Sequence, residues 1–94
     1  MPGVVVMPRD FPELLRRSIL EHDEHRCCLQ ALGGCRGPLN IDHFIPVALG
    51  GQTRLDNGWT LCEWHNGPKG KGARMPTIEM CDAWVASGRR LPWS

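Results

Sequence analysis

Cysteine and histidine side chains occur at spacings that suit a tetrahedral zinc site. Cys62 and His65, three residues apart, supply a thiolate and an imidazole, and a glycine-rich stretch upstream adds Cys35 with either Cys27 or Cys28. Zn²⁺ prefers such sulfur and nitrogen ligands, and a closed four-ligand set is typical of structural sites. Because the two halves are distant in sequence, the metal would contribute directly to folding. The alternative is a group of ordinary buried thiols beside a surface histidine.

A second group of side chains offers hard oxygen ligands and a base. Asp42 suits Mg²⁺ or a similar cation, and the adjacent His43 has an imidazole that can take a proton from water. Asn66 offers an oxygen ligand from another segment, and Lys69 follows it by about one helical turn. A metal held by two protein oxygens keeps positions for phosphate oxygens and water, so the set predicts metal-assisted phosphoryl transfer. The alternative is a turn-rich zinc module with Asp42 and His43 on its surface.

Short elements must position these residues. Hydrophobic periodicity, capping residues and turn residues predict a helix, a Cys- and Gly-rich loop, two strands and two further helices. In chain order these span residues 10–22, 27–37, 39–44, 58–61, about 62–69 and 77–87. Asp42 and His43 fall near the end of the first strand, where they point to opposite faces unless the strand ends or bulges there.

Apolar side chains at helical spacing predict the face that each outer helix buries. In the first helix, with Asp10 as its cap, they are Phe11, Leu14, Leu15 and Ile19. In the last helix, with Thr77 as its cap, Ile78, Cys81 and Val85 form one face beside Met80 and Trp84. Cys81, left over from the zinc set, is interpreted as a core thiol.

The composition and the distribution of charge indicate which classes of protein are compatible with this chain, but they do not identify a binding partner. The net charge of the 94 residues is +1, but Lys69, Lys71 and Arg74 form a basic strip that can contact phosphates, as an alternative to simple solvated surface. Five cysteines and four histidines, with no secretion signal, favour a metal over disulfides. With no apolar run of membrane-spanning length, we expect a cytoplasmic protein, in a bacterial or phage-type context.

The stretch around the second group resembles the HNH nuclease family. That family has a ββα-metal core with a histidine ending the first strand, an asparagine in the loop and a histidine or asparagine on the helix. Asp42-His43, Asn57 and Asn66 fall in those places here. The pattern is also matched at Pro46, Gly50-Gly51, Leu61-Cys62 and Lys69-Gly70. The matching motif covers roughly residues 26–72, about half of the chain.

The resemblance implies a role for each motif residue. His43 would be the general base that activates water, and Asp42 and Asn66 would hold one catalytic Mg²⁺ or Mn²⁺ ion. Asn57 would brace the loop so that His43 is correctly oriented. Cleavage would leave a 5′-phosphate and a 3′-hydroxyl.

Two departures from the family pattern concern the metals. Asn66 replaces the more common histidine, as in the variant described as HNN, and an amide oxygen suits Mg²⁺ better than transition metals. Many relatives use two Cys-x2-Cys pairs for zinc, whereas here the first pair is widely spaced and the second ends in His65. We favour Cys27 over Cys28 as the first ligand because it follows Arg26, as in many relatives.

A rival alignment makes His65 the third signature residue and a ligand of the catalytic metal. Zinc would then need both Cys27 and Cys28 together with Cys35 and Cys62, and adjacent cysteines are an awkward pair of ligands.

The sequence therefore predicts an α+β fold with a zinc-stapled ββα-metal (HNH) core and flanking N- and C-terminal helices. Residues 1–9 are expected to form an extended leader and residues 10–94 a single domain. The expected function is endonuclease activity on DNA, most naturally duplex DNA, with a homodimer or a larger partner protein left open. The alternatives are a zinc-stabilised nucleic-acid-binding module without catalysis and a protein-interaction zinc knuckle.

Overall fold

The computed structural model describes residues 11–70 and 74–93, with the side chains of residues 68–70 left out. Within this part, the protein has a small α+β fold of three helices and a two-stranded antiparallel sheet. The helices and strands are α1 (Glu13–His22), β1 (Leu39–His43), β2 (Gly58–Cys62), α2 (Glu63–Gly70) and α3 (Ile78–Ala86). Short 3₁₀ turns occupy Gln30–Leu32, Val47–Leu49 and Leu55–Asn57.

These elements lie close to their predicted places. Both strands, the short helix after β2 and the last helix are present, and the Thr77 hydroxyl caps α3 by accepting a hydrogen bond from the Met80 N–H at 3.2 Å. The first helix begins at Glu13, directly after Pro12. Asp10, the predicted cap, and the predicted leader 1–9 lie outside the described residues. Among the described helices, none has both the length and the apolar character that crossing a membrane requires.

Strand β2 is the most enclosed element of the fold. All five of its residues are buried, although the sheet has only two strands in the described chain. One edge pairs with β1, and the other edge is covered by the segment after α1. There the Cys28 N–H donates to the Thr60 carbonyl at 2.8 Å and the Thr60 N–H donates to an Asp23 carboxylate oxygen at 3.0 Å. Both backbone groups of Thr60 on this outer edge are thus satisfied, as burial requires.

Aromatic rings fill the core between the sheet and α3. Phe44 stacks on Trp84 with ring centroids 4.1 Å apart, and Trp59 meets both rings edge-on. Phe11 and Ile19 approach the sheet at Gly58, where a Cβ atom would lie only 2.5 Å from the Ile19 side chain. The residue opposite His43 in the sheet therefore has to be glycine for α1 to pack this closely.

The predicted apolar faces of the outer helices are only partly buried. Phe11 and Ile19 are buried as expected, but Leu14 is 74% exposed. In α3 the predicted face is wrong, because Ile78 is 78% and Val85 50% exposed while the neighbouring Trp84 is fully buried. The large indole decides which face of α3 turns inward, since burying it removes more apolar area from water than an isoleucine or a valine.

A buried ion pair joins the end of α1 to the C-terminal segment. The Arg89 guanidinium donates to both carboxylate oxygens of Asp23, at 2.7 and 3.0 Å, and both side chains are almost fully buried. Burial acts to raise the pKa of Asp23, but the bonds and charge of Arg89 and the Thr60 N–H hold the pKa below its usual value of 3.8. Nearby, the His22 ring bonds the Ser87 carbonyl at 2.8 Å. Arg89 and His22 thus both bond to segments distant in sequence.

We expect Arg89→Leu to lower the free energy of unfolding by about 3–5 kcal/mol, because Asp23 would become a buried carboxylate without its cation. Arg90→Leu is the matched control, since the Arg90 side chain is exposed, and it should change stability by no more than about 0.5 kcal/mol. Urea denaturation of the zinc-loaded proteins, followed by circular dichroism, measures both. Equal stability of the two variants would contradict a structural role for the ion pair.

Candidate functional site

Four potential zinc ligands converge where the Cys- and Gly-rich loop meets the end of the sheet. Cys27 and Cys35 come from the loop, Cys62 ends β2 and His65 lies in the first turn of α2. Their ligand atoms all lie within 4.8 Å of one another. The Nδ1 atom of His65 is 3.5, 3.6 and 3.3 Å from the sulfurs of Cys27, Cys35 and Cys62, respectively.

These distances fit a coordination sphere better than a set of hydrogen bonds. Nδ1 of an imidazole carries at most one proton, so it cannot donate to three sulfurs at once. Around a tetrahedral zinc with Zn–S of about 2.3 Å and Zn–N of about 2.0–2.1 Å, the nitrogen–sulfur edges are about 3.5 Å. The donor types and the spacing of this Cys₃His cluster therefore suit Zn²⁺, which can staple the loop to β2 and α2.

The ionisation of the three thiols also favours a cation. Burial acts to raise the pKa of Cys62, but backbone N–H groups of His65 and Arg36 and the neighbouring thiols lower it to about 6. Partial desolvation and the thiols of Cys27 and Cys62 raise the pKa of Cys35 to about 12. One thiolate therefore forms easily while further negative charge beside it is disfavoured, a conflict that a divalent ion removes.

The two remaining cysteines lie outside the cluster. The Cys28 sulfur is 3.9 Å from the Arg89 guanidinium, and burial followed by the charge of Asp23 raises the pKa of this thiol to about 12. This geometry favours the set with Cys27 over the rival set, which needs Cys28 as a ligand. Cys81 is partly buried on α3 against the aromatic core, in keeping with a core thiol.

Asp42 and His43 lie at the end of β1 with different surroundings. Asp42 is half-buried opposite Trp59, whose indole N–H donates to a carboxylate oxygen at 3.4 Å. The His43 side chain is buried, its ring lies 4.5 Å from that of Phe11, and Nε2 is 2.8 Å from the Thr53 hydroxyl. His43 is the last residue of its strand, and the hydroxyl that contacts Nε2 comes from the loop that follows.

Asn57 closes the loop between the two strands. Its side-chain oxygen accepts from the Ile45 N–H at 2.9 Å, and its amide nitrogen donates to the carbonyls of Ile45 and Gln52 at 3.1 and 2.9 Å. The Asn57 carbonyl also accepts from the Phe44 N–H. This buried side chain thus ties Ile45 and Gln52 together across the loop, with both groups of its amide in use.

Asn66 is partly buried in α2, which contacts both strands. Among the described residues, the Cys₃His cluster is the one group of three or more His, Cys, Asp or Glu side chains close enough to share an ion. Asp42 is therefore not part of such a group within the described chain. Of the predicted basic strip, Arg74 is exposed, whereas the Lys69 side chain and all of Lys71 lie outside the described residues.

Two residues that contact this region were not singled out from the sequence: Thr53 beside His43, and Asp23, which lies along β2 and pairs with Arg89. No spacing signal marks Thr53, since it lies in an irregular loop, and Asp23 and Arg89 are 66 residues apart.

No family model matches the chain, and neither curated proteins nor solved structures gave a match. The resemblance to HNH nucleases therefore depends on the motif residues alone.

We expect Cys35→Ser to weaken zinc binding by roughly 100-fold or more, because one of four ligands is lost. Cys35 is exposed, so this substitution leaves no cavity in the core. Cys28→Ser is the matched control and should keep about one zinc per chain. Zinc content after dialysis against a chelator, measured by plasma mass spectrometry, separates the two. Loss of zinc from both Cys28→Ser and Cys35→Ser would support the rival ligand set, which contains both thiols, and retention of zinc in Cys35→Ser would contradict both sets.

Proposed function

We propose that the protein is a metal-dependent, HNH-type endonuclease that hydrolyses phosphodiester bonds in DNA. The observation that carries this proposal is the arrangement around His43: a buried imidazole at the end of a strand, held by a hydroxyl and followed by a loop that the Asn57 side chain locks. A general base needs a fixed orientation of this kind. The order of β1, loop, β2 and α2, with Asp42 and Asn66 on β1 and α2, supports the same interpretation.

In the proposed reaction, His43 removes a proton from a water molecule as its oxygen attacks phosphorus. A new P–O bond forms, the bond to the 3′ oxygen breaks, and that oxygen is protonated, so the products are a 5′-phosphate and a 3′-hydroxyl. Asp42 and Asn66 would hold Mg²⁺ or Mn²⁺, whose oxygen-ligand preference matches a carboxylate and an amide. Such an ion supplies positive charge at the phosphate in the transition state.

Thr53 is the residue that positions the base in this proposal. When Nε2 of His43 donates to the Thr53 hydroxyl, the ring is held in the tautomer in which Nδ1 takes the proton from water. Asn57 contributes indirectly, because it locks the loop that carries Thr53. Lys69, Lys71 and Arg74 are proposed to contact DNA phosphates, which would make binding fall steeply with salt.

The test is conversion of supercoiled plasmid to nicked or linear DNA by zinc-loaded protein with Mg²⁺, Mn²⁺ or EDTA. We expect His43→Ala to lower the rate about 10²- to 10⁴-fold, as for loss of a general base. His25→Asn is the matched control, because His25 is exposed at a positive φ that asparagine tolerates. Thr53→Val should lower the rate about 10- to 100-fold, while Thr53→Ser restores most of it.

Folded, zinc-loaded protein that binds DNA without cutting it in any of these metals would contradict the nuclease and favour a binding module. Equal rates for His43→Ala and His25→Asn would contradict the assignment of the base.

A further inference from the structure

One tryptophan of the motif region is half exposed beside an arginine. Trp64, in the first turn of α2, keeps 53% of its surface accessible, whereas Trp59 is fully buried. The Arg36 guanidinium lies over the Trp64 ring, 5.5 Å from the ring centroid. The accessible part of this indole, next to a cation, is a surface that a partner can contact.

The pair is held in place from both sides. The Trp64 backbone N–H donates to the Arg36 carbonyl at 3.1 Å, and the indole edge lies beside Gly34, where a Cβ would be in ordinary contact with Nε1 at 3.6 Å. Each member also adjoins a residue of the zinc cluster in sequence, Arg36 after Cys35 and Trp64 before His65. The indole and the guanidinium are therefore preorganised, which lowers the entropic cost of binding a ligand.

We propose that Trp64 and Arg36 form a contact site for one unpaired nucleotide of a single-stranded nucleic acid. The indole offers a flat surface on which a base stacks, and the guanidinium donates to the phosphate beside that base. Both parts of a nucleotide are thereby matched, whereas an apolar peptide would leave the guanidinium without a partner. Because bases in a duplex are already stacked on each other, the site selects strands with unpaired nucleotides.

A carboxylate beside Arg36 is expected to limit the affinity of this site for a single strand. The Glu63 carboxylate rests against Gly37, next to Arg36, and would repel a phosphate. Glu63→Gln should therefore tighten the binding of a single strand, by about 1.5- to 5-fold. This inference deepens the proposed nuclease by placing unpaired nucleotides in its substrate, but the contact site does not require that the protein cut DNA.

The experiment measures binding of the zinc-loaded protein to a labelled 12-nucleotide oligothymidylate by fluorescence anisotropy, with EDTA-free buffer and no Mg²⁺. We expect Trp64→Ala to weaken binding by about 5- to 150-fold, and Trp64→Phe to retain most of it. Trp93→Ala is the matched control, since Trp93 is equally exposed at 53% but its ring faces Phe44. Arg36→Gln should lower the slope of log Kd against log salt by about 0.7.

Zinc content and circular dichroism verify that each variant is folded. Unchanged single-strand affinity in folded Trp64→Ala, or the same loss in Trp93→Ala, would overturn the proposal. So would an equal loss of affinity for a fully paired duplex, since the proposed site needs an unpaired base. Plasmid cleavage is scored separately. Binding that depends on Trp64 without any cleavage would contradict the proposed nuclease but would still support the contact site.

Discussion

The Cys₃His cluster is the constraint on which the rest of this small structure depends. A two-stranded sheet is marginally stable alone, and an eight-residue helix that contains glycine and proline is weaker still. The cluster joins both of these elements to a loop with little regular structure of its own. With zinc bound, the end of β2, the first turn of α2 and the loop become one unit, and the free energy of metal binding becomes folding free energy.

Strand β2 connects the Cys₃His cluster to the rest of the fold. Its last residue, Cys62, belongs to the cluster, while Trp59 anchors the aromatic core and Thr60 bonds the segment that holds Asp23. The Asp23–Arg89 pair then fastens the C-terminal segment to the same strand from the far side. The Cys₃His cluster, the aromatic packing and the buried ion pair thus all involve one strand, which is completely buried.

Features that depend on residue type and short-range spacing could be predicted from the sequence. Both strands, the helix cap at Thr77 and the cluster of cysteines with His65 follow from residue type and spacing, and the structure has them. Burial in α3 was mispredicted because helical periodicity does not show which of two apolar faces meets the core, and the size of Trp84 decides it. The Asp23–Arg89 pair and the contact of Thr53 with His43 depend on tertiary folding, so no spacing rule could reveal them.

The residues of the proposed active site are positioned by β1, β2 and α2. His43 lies where β1 ends, and Asn57, one residue before β2, locks the loop that orients the imidazole. Asn66 and Trp64 lie on either side of His65 in α2, so the metal cluster positions both a proposed catalytic ligand and the proposed base-stacking residue. Both proposed roles would therefore depend on the Cys₃His cluster for their geometry, although neither would use zinc directly.

X-ray absorption at the zinc edge of the metal-loaded protein is the most direct test of the Cys₃His site. We expect three sulfur ligands at about 2.3 Å and one nitrogen ligand at about 2.0–2.1 Å. Four sulfurs would mean that Cys28 replaces His65 and that the rival arrangement of the motif is correct. A shell of oxygen and nitrogen alone would contradict the zinc staple, and with it the explanation of how α2 is held against the sheet.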